Sequence, residues 1–328
     1  MFSIKLKNGK SFTCAENSTI FEAARAEGIF LEHSCLSARC RSCIVQVTEG
    51  TTQDKKDDLV LSSEEKASNL VLSCNAVPTS DIVMDVEDLG GIEIYEKRIS
   101  PAKINTINPI TDEVIEIVLR IPPGTKFDYH PGQYVNISHG DIRRSYSIAN
   151  YNKRSGNLHF YIKNYPTGAM SQYWFEKAQV NDLLRIEGPL GSFFLRETKK
   201  ETIVFLATGT GIAPVKAMLE KMNESPQNYV DHKIWIFWGA RTPDYFFWNP
   251  EGMQLNLNIV KVCSRADISF TGSRGYIQDV LASNNIRLNN AQVYACGSNE
   301  MIIDAKRKLF SLGLNEADFY SDAFVISN

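Results

Sequence analysis

The cysteines constrain this chain more than any other feature of its sequence. Three of its seven cysteines fall within nine positions of the segment SCLSARCRSC, and the full spacing is C-x4-C-x2-C followed by a distant fourth cysteine. Thiolates at this spacing bind a 2Fe-2S cluster, because three sulfurs converge from one tight loop while the fourth comes from the body of the domain. We therefore predict that the cluster ligands are Cys35, Cys40, Cys43 and Cys74.

Two other interpretations of these cysteines stay open at this point. A zinc site usually presents paired C-x2-C knuckles, and unrelated buried thiols need no spacing at all. Cys14 and Cys263 lie outside the pattern and fit the ordinary role of small buried hydrophobic residues. The ligand spacing favours the cluster over both alternatives.

Length, charge and hydropathy limit the class of protein. A chain of 328 residues exceeds one ordinary core and predicts two or three domains. A net charge of −3 gives no basis for binding nucleic acid, and no apolar run reaches the ~20 residues of a membrane span. The N-terminus MFSIKLKNGK lacks the apolar centre of a signal peptide. We expect a monomeric cytoplasmic protein, in which clustered cysteines are metal ligands or redox groups rather than disulfides.

The N-terminal part of the chain has the pattern of a small α+β domain. Alternating apolar residues over 2–6 and the turn Asn8-Gly9 predict a β-hairpin. Thr19 and Glu22 form a capping box ahead of a short helix, and the run DIVMDV predicts a closing strand. We predict one domain over residues 1–90, followed by a linker over 91–100.

The character of the sequence changes twice after this linker. Residues 101–198 contain short strands separated by turns, such as IEIVLRI, GQYVNIS and LHFYIKN, which predicts an antiparallel β-barrel. Over residues 199–328 apolar runs such as IVFLA, KIWIFW and AQVYA alternate with helical patterns. This alternation predicts an α/β domain with a doubly wound parallel sheet.

The cysteine loop resembles that of plant-type ferredoxins, and the resemblance implies a β-grasp fold for the first domain. Their loops usually carry glycine where this chain has Ala38 and Arg41, and glycine lets backbone amides approach the cluster sulfurs. We expect Arg41 to force a different local backbone, which would affect the stability and exposure of the cluster. Positive charge at Arg39 and Arg41 favours the reduced cluster and an acidic partner, unless both are merely solvated loop residues.

Three motifs of the predicted barrel together resemble the flavin motifs of the ferredoxin-NADP reductase superfamily: PGQY, RSYS and GAMS. The resemblance implies that Tyr146 stacks on the flavin of FAD and that Ser147 acts catalytically beside its N5 atom. Arg144 is a charge-assisted donor to phosphate, and Ser171 with neighbouring amides forms an anion site at a helix start. The expected FAD-binding residues are Gln133, Tyr134, Arg144, Ser145, Tyr146, Ser147, Gly168, Ala169, Met170 and Ser171.

A glycine turn opens the third predicted domain. The segment IVFLATGTGIAP reads as a strand, a tight turn and a proline suited to the first turn of a helix. The residues expected to bind pyrophosphate there are Thr208, Gly209, Thr210, Gly211 and Pro214. In the superfamily, a cysteine like Cys296 lies beside the nicotinamide and a C-terminal aromatic covers the flavin. This resemblance makes Cys296 and Phe324 catalytic candidates.

Arginines after two predicted strands bear on the choice of nucleotide. An acid near the adenosine ribose favours NADH, whereas arginine accommodates the 2′-phosphate of NADPH. A Ser-Arg pair followed by Tyr-x-Gln is similar to NADPH-selective reductases, although Asp244 and Asp267 lie close in sequence. We expect NADPH to be accepted and do not exclude NADH. The residues expected around this ribose are Arg241, Ser264, Arg265, Tyr276 and Gln278.

The chain as a whole resembles reductases in which a ferredoxin domain, a flavin domain and a nicotinamide domain follow in this order. The segments RRSYSIAN, LRIEGPLGSFFLRE, VYACGS and SDAFV are most similar to the reductases of 3,6-dideoxyhexose formation. The resemblance implies electron flow from NAD(P)H through FAD and the cluster to a partner protein, there a dehydrase of CDP-sugars. The alternatives are the reductase component of an aromatic-ring dioxygenase or monooxygenase, and a cluster-free flavin reductase or redox sensor.

Overall fold

The structure is a computed structural model that describes residues 1–57, 60–151, 156–267 and 269–324. Val325, the last residue of the SDAFV segment, lies outside the described residues. Among the described residues, no helix is long and apolar enough to cross a membrane. The chain forms two compact units: the first contains residues 1–94 with 191–193 and 322–324, and the second contains residues 95–190 and 194–321.

The first unit is a small α+β fold. Its elements are β1 (Phe2–Leu6), β2 (Ser11–Cys14), α1 (Ile20–Ala26), β3 (Ile44–Glu49), β4 (Thr52–Asp54), α2 (Ser63–Ala67), β5 (Leu70–Leu72), β6 (Ala76–Pro78) and β7 (Ile82–Met84). Five strands form one sheet in the order β2-β1-β7-β3-β5. The β1–β2 pair is the antiparallel hairpin predicted from Asn8-Gly9, and β1 pairs with β7 in parallel. Thr19 and Glu22 form the predicted capping box of α1.

The apolar face of α1 covers this sheet. Ile20 and Ala24 of the helix are fully buried, and they belong to the same cluster as Ile4, Leu6 and Met84 of the strands. Apolar residues at helical spacing meet apolar residues at strand spacing, which is why the helix lies on this face. The ferredoxin-type fold expected for this part of the chain is confirmed.

The first sheet of the second unit is antiparallel. Its elements are β8 (Arg98–Thr111), β9 (Val114–Arg120), β10 (Tyr134–His139), β11 (Ile142–Ser147), β12 (Asn157–Lys163), α3 (Ala169–Gln172) and β13 (Leu183–Leu190), with strand order β11-β10-β13-β8-β9-β12. The two edge strands of this sheet, β11 and β12, come together. The Ala149 N–H, just after β11, donates to the carbonyl of His159 in β12 at 2.8 Å, so the sheet is curled. The predicted antiparallel barrel is therefore confirmed.

The second sheet of this unit is mostly parallel. Its elements are β14 (Thr202–Thr208), α4 (Ile212–Asn223), β15 (Lys233–Ala240), β16 (Leu257–Cys263), β17 (Ser273–Arg274), α5 (Ile277–Ser283), β18 (Ala291–Ser298), α6 (Asn299–Ser311) and β19 (Phe319–Phe324). The strand order is β17-β16-β15-β14-β18-β19, and β14 pairs in parallel with both β15 and β18. The chain therefore reverses its direction of winding at β14. In open α/β sheets such a switch point, at the carboxyl ends of the strands, is where ligands bind.

Candidate functional site

The structure brings the predicted cluster ligands together in two pairs, Cys43 with Cys74 and Cys35 with Cys40. Strand β3 begins directly after Cys43, and its Ile44 pairs with Leu72 of β5, so Cys74 arrives beside Cys43 with the two sulfurs 3.2 Å apart. Cys35 and Cys40 form the other pair, since the Cys35 N–H donates to the Cys40 sulfur at 3.3 Å. Electrostatic interactions link the two pairs, and all four cysteines are free thiols.

The loop around these sulfurs achieves the required backbone without glycine. Leu36, Ala38 and Arg41 have φ values of +51°, +58° and +63°, in the left-handed region that glycine normally occupies. The expectation that Arg41 forces a different backbone is therefore wrong, because Arg41 itself adopts the conformation that glycine favours. The loop can thus hold the chain as tightly as a glycine-containing loop.

Backbone amides of the loop point at the cysteine sulfurs. The Ser37 N–H donates to the Cys35 sulfur at 3.4 Å, and the Cys35 N–H donates to the Cys40 sulfur at 3.3 Å. Donors of this kind stabilise negatively charged sulfur, so the four cysteines and their surroundings fit a 2Fe-2S cluster.

Two segments from far along the chain hold the residues just before the first ligand. The His33 N–H donates to the Ser192 hydroxyl at 2.7 Å, and the Ser34 hydroxyl donates to the Asp322 carboxylate at 2.6 Å. Asp322 is almost fully buried, and this burial raises its pKa to about 6. Sequence reasoning missed both contacts, because nothing local to residues 32–34 indicates partners 159 and 288 residues away.

Strand pairing places the PGQY and RSYS motifs side by side. Tyr134 of β10 faces Ser147 of β11, and the Ile148 N–H donates to the Gln133 carbonyl at 3.1 Å. Gln133, Tyr134 and Ser147 are buried. Tyr146 accepts a hydrogen bond from the Trp174 indole at 3.0 Å, and burial raises its pKa to about 12.

The remaining predicted flavin residues lie on the outer part of β11 and at the start of α3. The Arg144 guanidinium donates to the Arg143 carbonyl at 2.8 Å, and Ser145 is exposed. Gly168 precedes α3, whose Met170 and Ser171 are buried while Ala169 is exposed.

Gly168 and Ser171 are held by one tight turn. The Ser171 hydroxyl accepts from the Tyr165 N–H at 3.1 Å. A Cβ atom on Gly168 would lie 3.1 Å from the Tyr165 carbonyl oxygen, which is closer than side chains normally approach. The turn thus favours a residue without a side chain at this position and presents the first amides of α3.

The predicted pyrophosphate turn and Cys296 are in direct contact. Strand pairing sets Ala207 beside Cys296, and Gly211 lies so close that an added Cβ would be 2.3 Å from the Cys296 carbonyl oxygen. Gly209 has φ +54°, and its carbonyl accepts from the Trp238 indole at 3.0 Å. The Cys296 side chain is fully buried beneath this turn. Thr208 and Thr210 are half-buried, and Pro214 is buried within α4.

Exposed arginines follow two neighbouring parallel strands. Arg241 comes after β15, and Ser264 and Arg265 come after β16. The Arg265 N–H donates to the Arg241 carbonyl at 2.9 Å, so the segments that follow β15 and β16 lie side by side at this edge. All three residues are exposed. The structure therefore assembles the predicted basic edge from residues that are distant in sequence.

Sequence reasoning missed one member of this edge. Arg274 ends β17 and pairs in register with Cys263, which sets a further exposed arginine beside the end of β16. A strand of two residues leaves no periodicity to detect, so only the pairing reveals it. Tyr276 is 63% exposed, whereas Gln278 is 6% exposed and its Oε1 atom finds no hydrogen-bond partner among the described residues.

Phe324 lies in a different unit from the other two catalytic candidates. It is half-buried in the last described stretch of the first unit, whereas Ser147 and Cys296 belong to the second unit. Its expected position over the flavin stays a prediction.

A lysine and a glutamate on α4 join that helix to the strand end that follows RSYS. The Lys216 ammonium donates to the Ala149 carbonyl at 2.8 Å and pairs with Glu220. Glu220 in turn accepts from the Tyr151 N–H at 2.7 Å. We call these contacts of Lys216 and Glu220 the clasp. Because α4 starts at the predicted pyrophosphate turn, the clasp connects the parallel sheet to the antiparallel barrel within one compact unit.

Replacing Lys216 by methionine should slow flavin reduction while leaving FAD bound. Methionine keeps most of the apolar stem but loses the ammonium, so the two sheets lose a fixed contact. We expect a fall of about tenfold at saturating nucleotide, since small misplacements of reacting groups cost up to ~100-fold. Stopped-flow absorbance measures the rate. The matched control is Lys233→Met, which removes the more exposed ion pair to Glu201 in the same unit. Equal rates in both variants would contradict the role of the clasp.

Three family models match the chain in the order of the predicted domains. They are the 2Fe-2S iron-sulfur cluster binding domain over residues 4–79, the oxidoreductase FAD-binding domain over residues 101–195 and the oxidoreductase NAD-binding domain over residues 205–307. The matched ranges contain the cysteine loop, the three flavin motifs and the glycine turn, respectively. They support all three cofactors, 2Fe-2S, FAD and a nicotinamide nucleotide.

Relatives along the whole chain are reductases. The chain is 35% identical over 325 residues to the CDP-6-deoxy-L-threo-D-glycero-4-hexulose-3-dehydrase reductase of Yersinia pestis, covering 98% of this chain and 97% of the relative. It is 31% identical over 307 residues to the reductase component of propane 2-monooxygenase from Mycolicibacterium smegmatis, covering 88% and 86%. A solved structure, the ferredoxin reductase in carbazole 1,9a-dioxygenase, aligns with a TM-score of 0.70 at 25% identity, covering 99% and 98%.

Proposed function

Because this chain belongs to the family of NAD(P)H-dependent electron-transfer reductases that combine a 2Fe-2S domain with FAD-binding and NAD-binding domains, we propose that its electron acceptor is a dehydrase acting on a CDP-4-keto-6-deoxy sugar. The observation that carries this proposal is the 35% identity, over 98% of the chain, to a reductase named for such a dehydrase. In this role the protein serves the formation of 3,6-dideoxyhexoses.

The cofactor roles follow from the chemistry of the side chains. Bound FAD accepts two electrons as a hydride, and a bound 2Fe-2S cluster delivers electrons one at a time. Arg144 and the amides near Ser171 bind phosphate, because a guanidinium and helix-start N–H groups are both anion donors. Tyr146 offers its ring to the flavin, and the buried Ser147 hydroxyl donates near N5. Cys35, Cys40, Cys43 and Cys74 ligate the cluster, while Gln133, Tyr134, Ser145, Gly168, Ala169 and Met170 shape the flavin site.

The glycine turn and its surroundings bind the nicotinamide nucleotide. The amides of residues 208–211 face pyrophosphate at the start of α4, whose Pro214 lies in its first turn. Cys296 sits directly beneath that turn and orients the nicotinamide ring towards the flavin. Phe324 would cover the flavin ring, as the C-terminal aromatic does in related reductases.

NADPH is the favoured nucleotide, and NADH is also accepted. Arg241, Arg265 and Arg274 are exposed at the carboxyl ends of neighbouring strands, where three guanidinium groups attract a 2′-phosphate. Ser264, Tyr276 and Gln278 complete the ribose site.

The acceptor docks at the exposed tip of the cysteine loop. Arg39 is exposed there, and Leu36 beside it is 39% exposed. A single cation next to an apolar side chain suits an acceptor with an acidic, partly apolar face. Arg41 follows Arg39 by two residues in the same loop. Its guanidinium contacts Glu65, however, so Arg41 does not belong to this tip.

We assign the cytoplasm as the location and a monomer as the acting form, with no nucleic-acid or membrane partner. The functional domains comprise residues 1–90, 101–198 and 199–328, joined after the first by a linker over 91–100. The net charge of −3 supports the absence of a nucleic-acid partner, and the order of the motifs supports the order of the domains.

The experiment that tests the proposal compares acceptors. The protein is purified anaerobically, its iron, sulfide and flavin are quantified, and NADPH or NADH is added while EPR follows the cluster. Two irons per flavin and a rhombic signal are expected. The reduced protein is then mixed with a purified CDP-4-keto-6-deoxyhexose dehydrase or with an oxygenase component. Turnover of the dehydrase alone supports the proposal, and turnover of the oxygenase alone overturns it. Flavin without iron would mean a flavin reductase or sensor.

A second acceptor class has its own support. The chain is 31% identical over 88% of its length to a propane 2-monooxygenase reductase component. The same electron path would then end at a monooxygenase. The terephthalate 1,2-dioxygenase reductase component 2 of Comamonas sp, 26% identical over 96% of this chain, supports an aromatic-ring dioxygenase in the same class of acceptor. The acceptor comparison above separates the two.

A further inference from the structure

Arg41 joins the cysteine loop to α2. Its guanidinium donates to the Val60 carbonyl and to both carboxylate oxygens of Glu65, with Nη1 to Oε2 at 3.2 Å. Only 16% of the Arg41 side chain and 27% of the Glu65 side chain are exposed. The guanidinium holds the pKa of Glu65 below its usual range. Arg41 is therefore tied to the body of the domain.

Glu65 is itself a fixed partner. It is the third residue of α2 and closes a capping box, in which the Ser62 N–H donates to Glu65 Oε2 at 2.8 Å and the Ser62 hydroxyl accepts from the Glu65 N–H at 3.2 Å. The Glu65 carboxylate thus accepts hydrogen bonds both from the Ser62 N–H at the helix start and from the Arg41 guanidinium. Because the helix holds the carboxylate in place, little freedom is lost when the guanidinium binds.

The same residue has an unfavourable backbone. Arg41 has φ +63°, a region that a residue with a Cβ atom disfavours about tenfold or more relative to glycine. This backbone opens the turn that contains the ligand Cys43, because the Ile44 N–H donates to the Arg41 carbonyl at 3.3 Å. A change of φ at Arg41 would therefore move Cys43 relative to Cys40. The contacts of the Arg41 side chain oppose such a change.

We propose that Arg41 is a positioning residue for the cluster: its contacts with Glu65 and Val60 hold the left-handed backbone that joins the ligand Cys40 to the ligand Cys43. This inference rests on the proposed function, in which Cys40 and the other three cysteines bind the cluster. Glycine would adopt this backbone conformation without a penalty, whereas Arg41 is held in it by the contacts of its side chain, which we call the tether. Arg41 directly follows the ligand Cys40 in the chain, so its positive charge favours the reduced cluster.

Four single variants of the full-length holoprotein distinguish the effect of the side-chain contacts from the effect of the backbone conformation at position 41. Arg41→Ala loses the tether and keeps the disfavoured φ, whereas Arg41→Gly loses the tether and removes that penalty. Glu65→Gln weakens the partner and retains a capping side chain. The control is Glu22→Gln, which alters the other capping box of this unit, at α1. Each protein is tested for iron release to a chelator, followed by visible absorbance, and for the midpoint potential of the cluster by EPR titration.

We expect Arg41→Ala to release iron about 10- to 100-fold faster than the wild type, since hydrogen bonds to charged groups contribute at this level. Arg41→Gly should release it about tenfold more slowly than Arg41→Ala, because glycine accepts φ +63° without a penalty. Arg41→Ala should also have a lower potential. Combining Arg41→Ala with Glu65→Gln should add little, because both act on one contact.

Several outcomes would overturn the inference. Iron release from Arg41→Ala at the wild-type rate would do so, as would equal effects of Glu65→Gln and Glu22→Gln. If Arg41→Ala does not fold, Glu65→Gln and Arg41→Gly carry the test. A wild-type protein without iron would instead contradict the proposed function, so the two failures are distinguishable.

Discussion

Replacing Cys40 by serine is expected to remove the cluster and stop electron transfer to a protein acceptor, while NAD(P)H oxidation by ferricyanide continues. Cys40 is 3% exposed, and its sulfur accepts the Cys35 N–H within the loop. Loss of an outer partner of a metal ligand already costs up to ~100-fold, so loss of the ligand itself should cost at least that much in acceptor reduction. Ferricyanide can draw electrons from the flavin, which the variant leaves untouched.

The control for this experiment is Cys14→Ser. Cys14 is also fully buried, but it lies in β2 with its sulfur near backbone carbonyls, away from the loop. Iron and sulfide content, the EPR signal and both activities are measured in each variant. Cys14→Ser should keep two irons per flavin. Wild-type iron content in Cys40→Ser would refute the ligand assignment, and loss of ferricyanide activity would mean that the flavin domain depends on the cluster.

Replacing Gly211 by alanine should block the other end of the electron path. The added Cβ would lie 2.3 Å from the Cys296 carbonyl oxygen and 2.9 Å from its carbon, so the backbone of the turn or of β18 must move. Because a shift of about 1 Å in a reacting group can cost ~100-fold, flavin reduction by NAD(P)H should fall by that order. FAD and iron should stay bound. Stopped-flow reduction, with cofactor analysis, measures the effect.

A second glycine separates this effect from general destabilisation. Gly252 has φ +85° and nothing within 4 Å of an added Cβ, so Gly252→Ala adds a backbone penalty of about 1 kcal/mol without a clash. It should lower the unfolding temperature and leave flavin reduction unchanged. If Gly211→Ala reduces the flavin at the wild-type rate, the glycine turn does not bind the nucleotide as proposed.

The sequence by itself determined the features that depend on residues close together in the chain. The loop cysteines, the capping box at Thr19 and the glycine turn after β14 are each encoded within a dozen residues. Their chemistry depends on residue type and spacing, and neither requires knowledge of distant partners. The order of the three motif sets along the chain then sufficed for the fold classes and the cofactors.

Only the tertiary structure decided what the loop arginines and the distant contacts do. Arg39 and Arg41 are two residues apart and chemically identical, yet one is exposed and the other is tied to Glu65. Spacing cannot foresee this, because the direction of a side chain depends on its own φ and on where α2 lies. The same holds for Asp322 beside Ser34 and for Lys216 beside Ala149. Each contact joins residues that come together only when separate strands and helices pack, so no local sequence pattern predicts it.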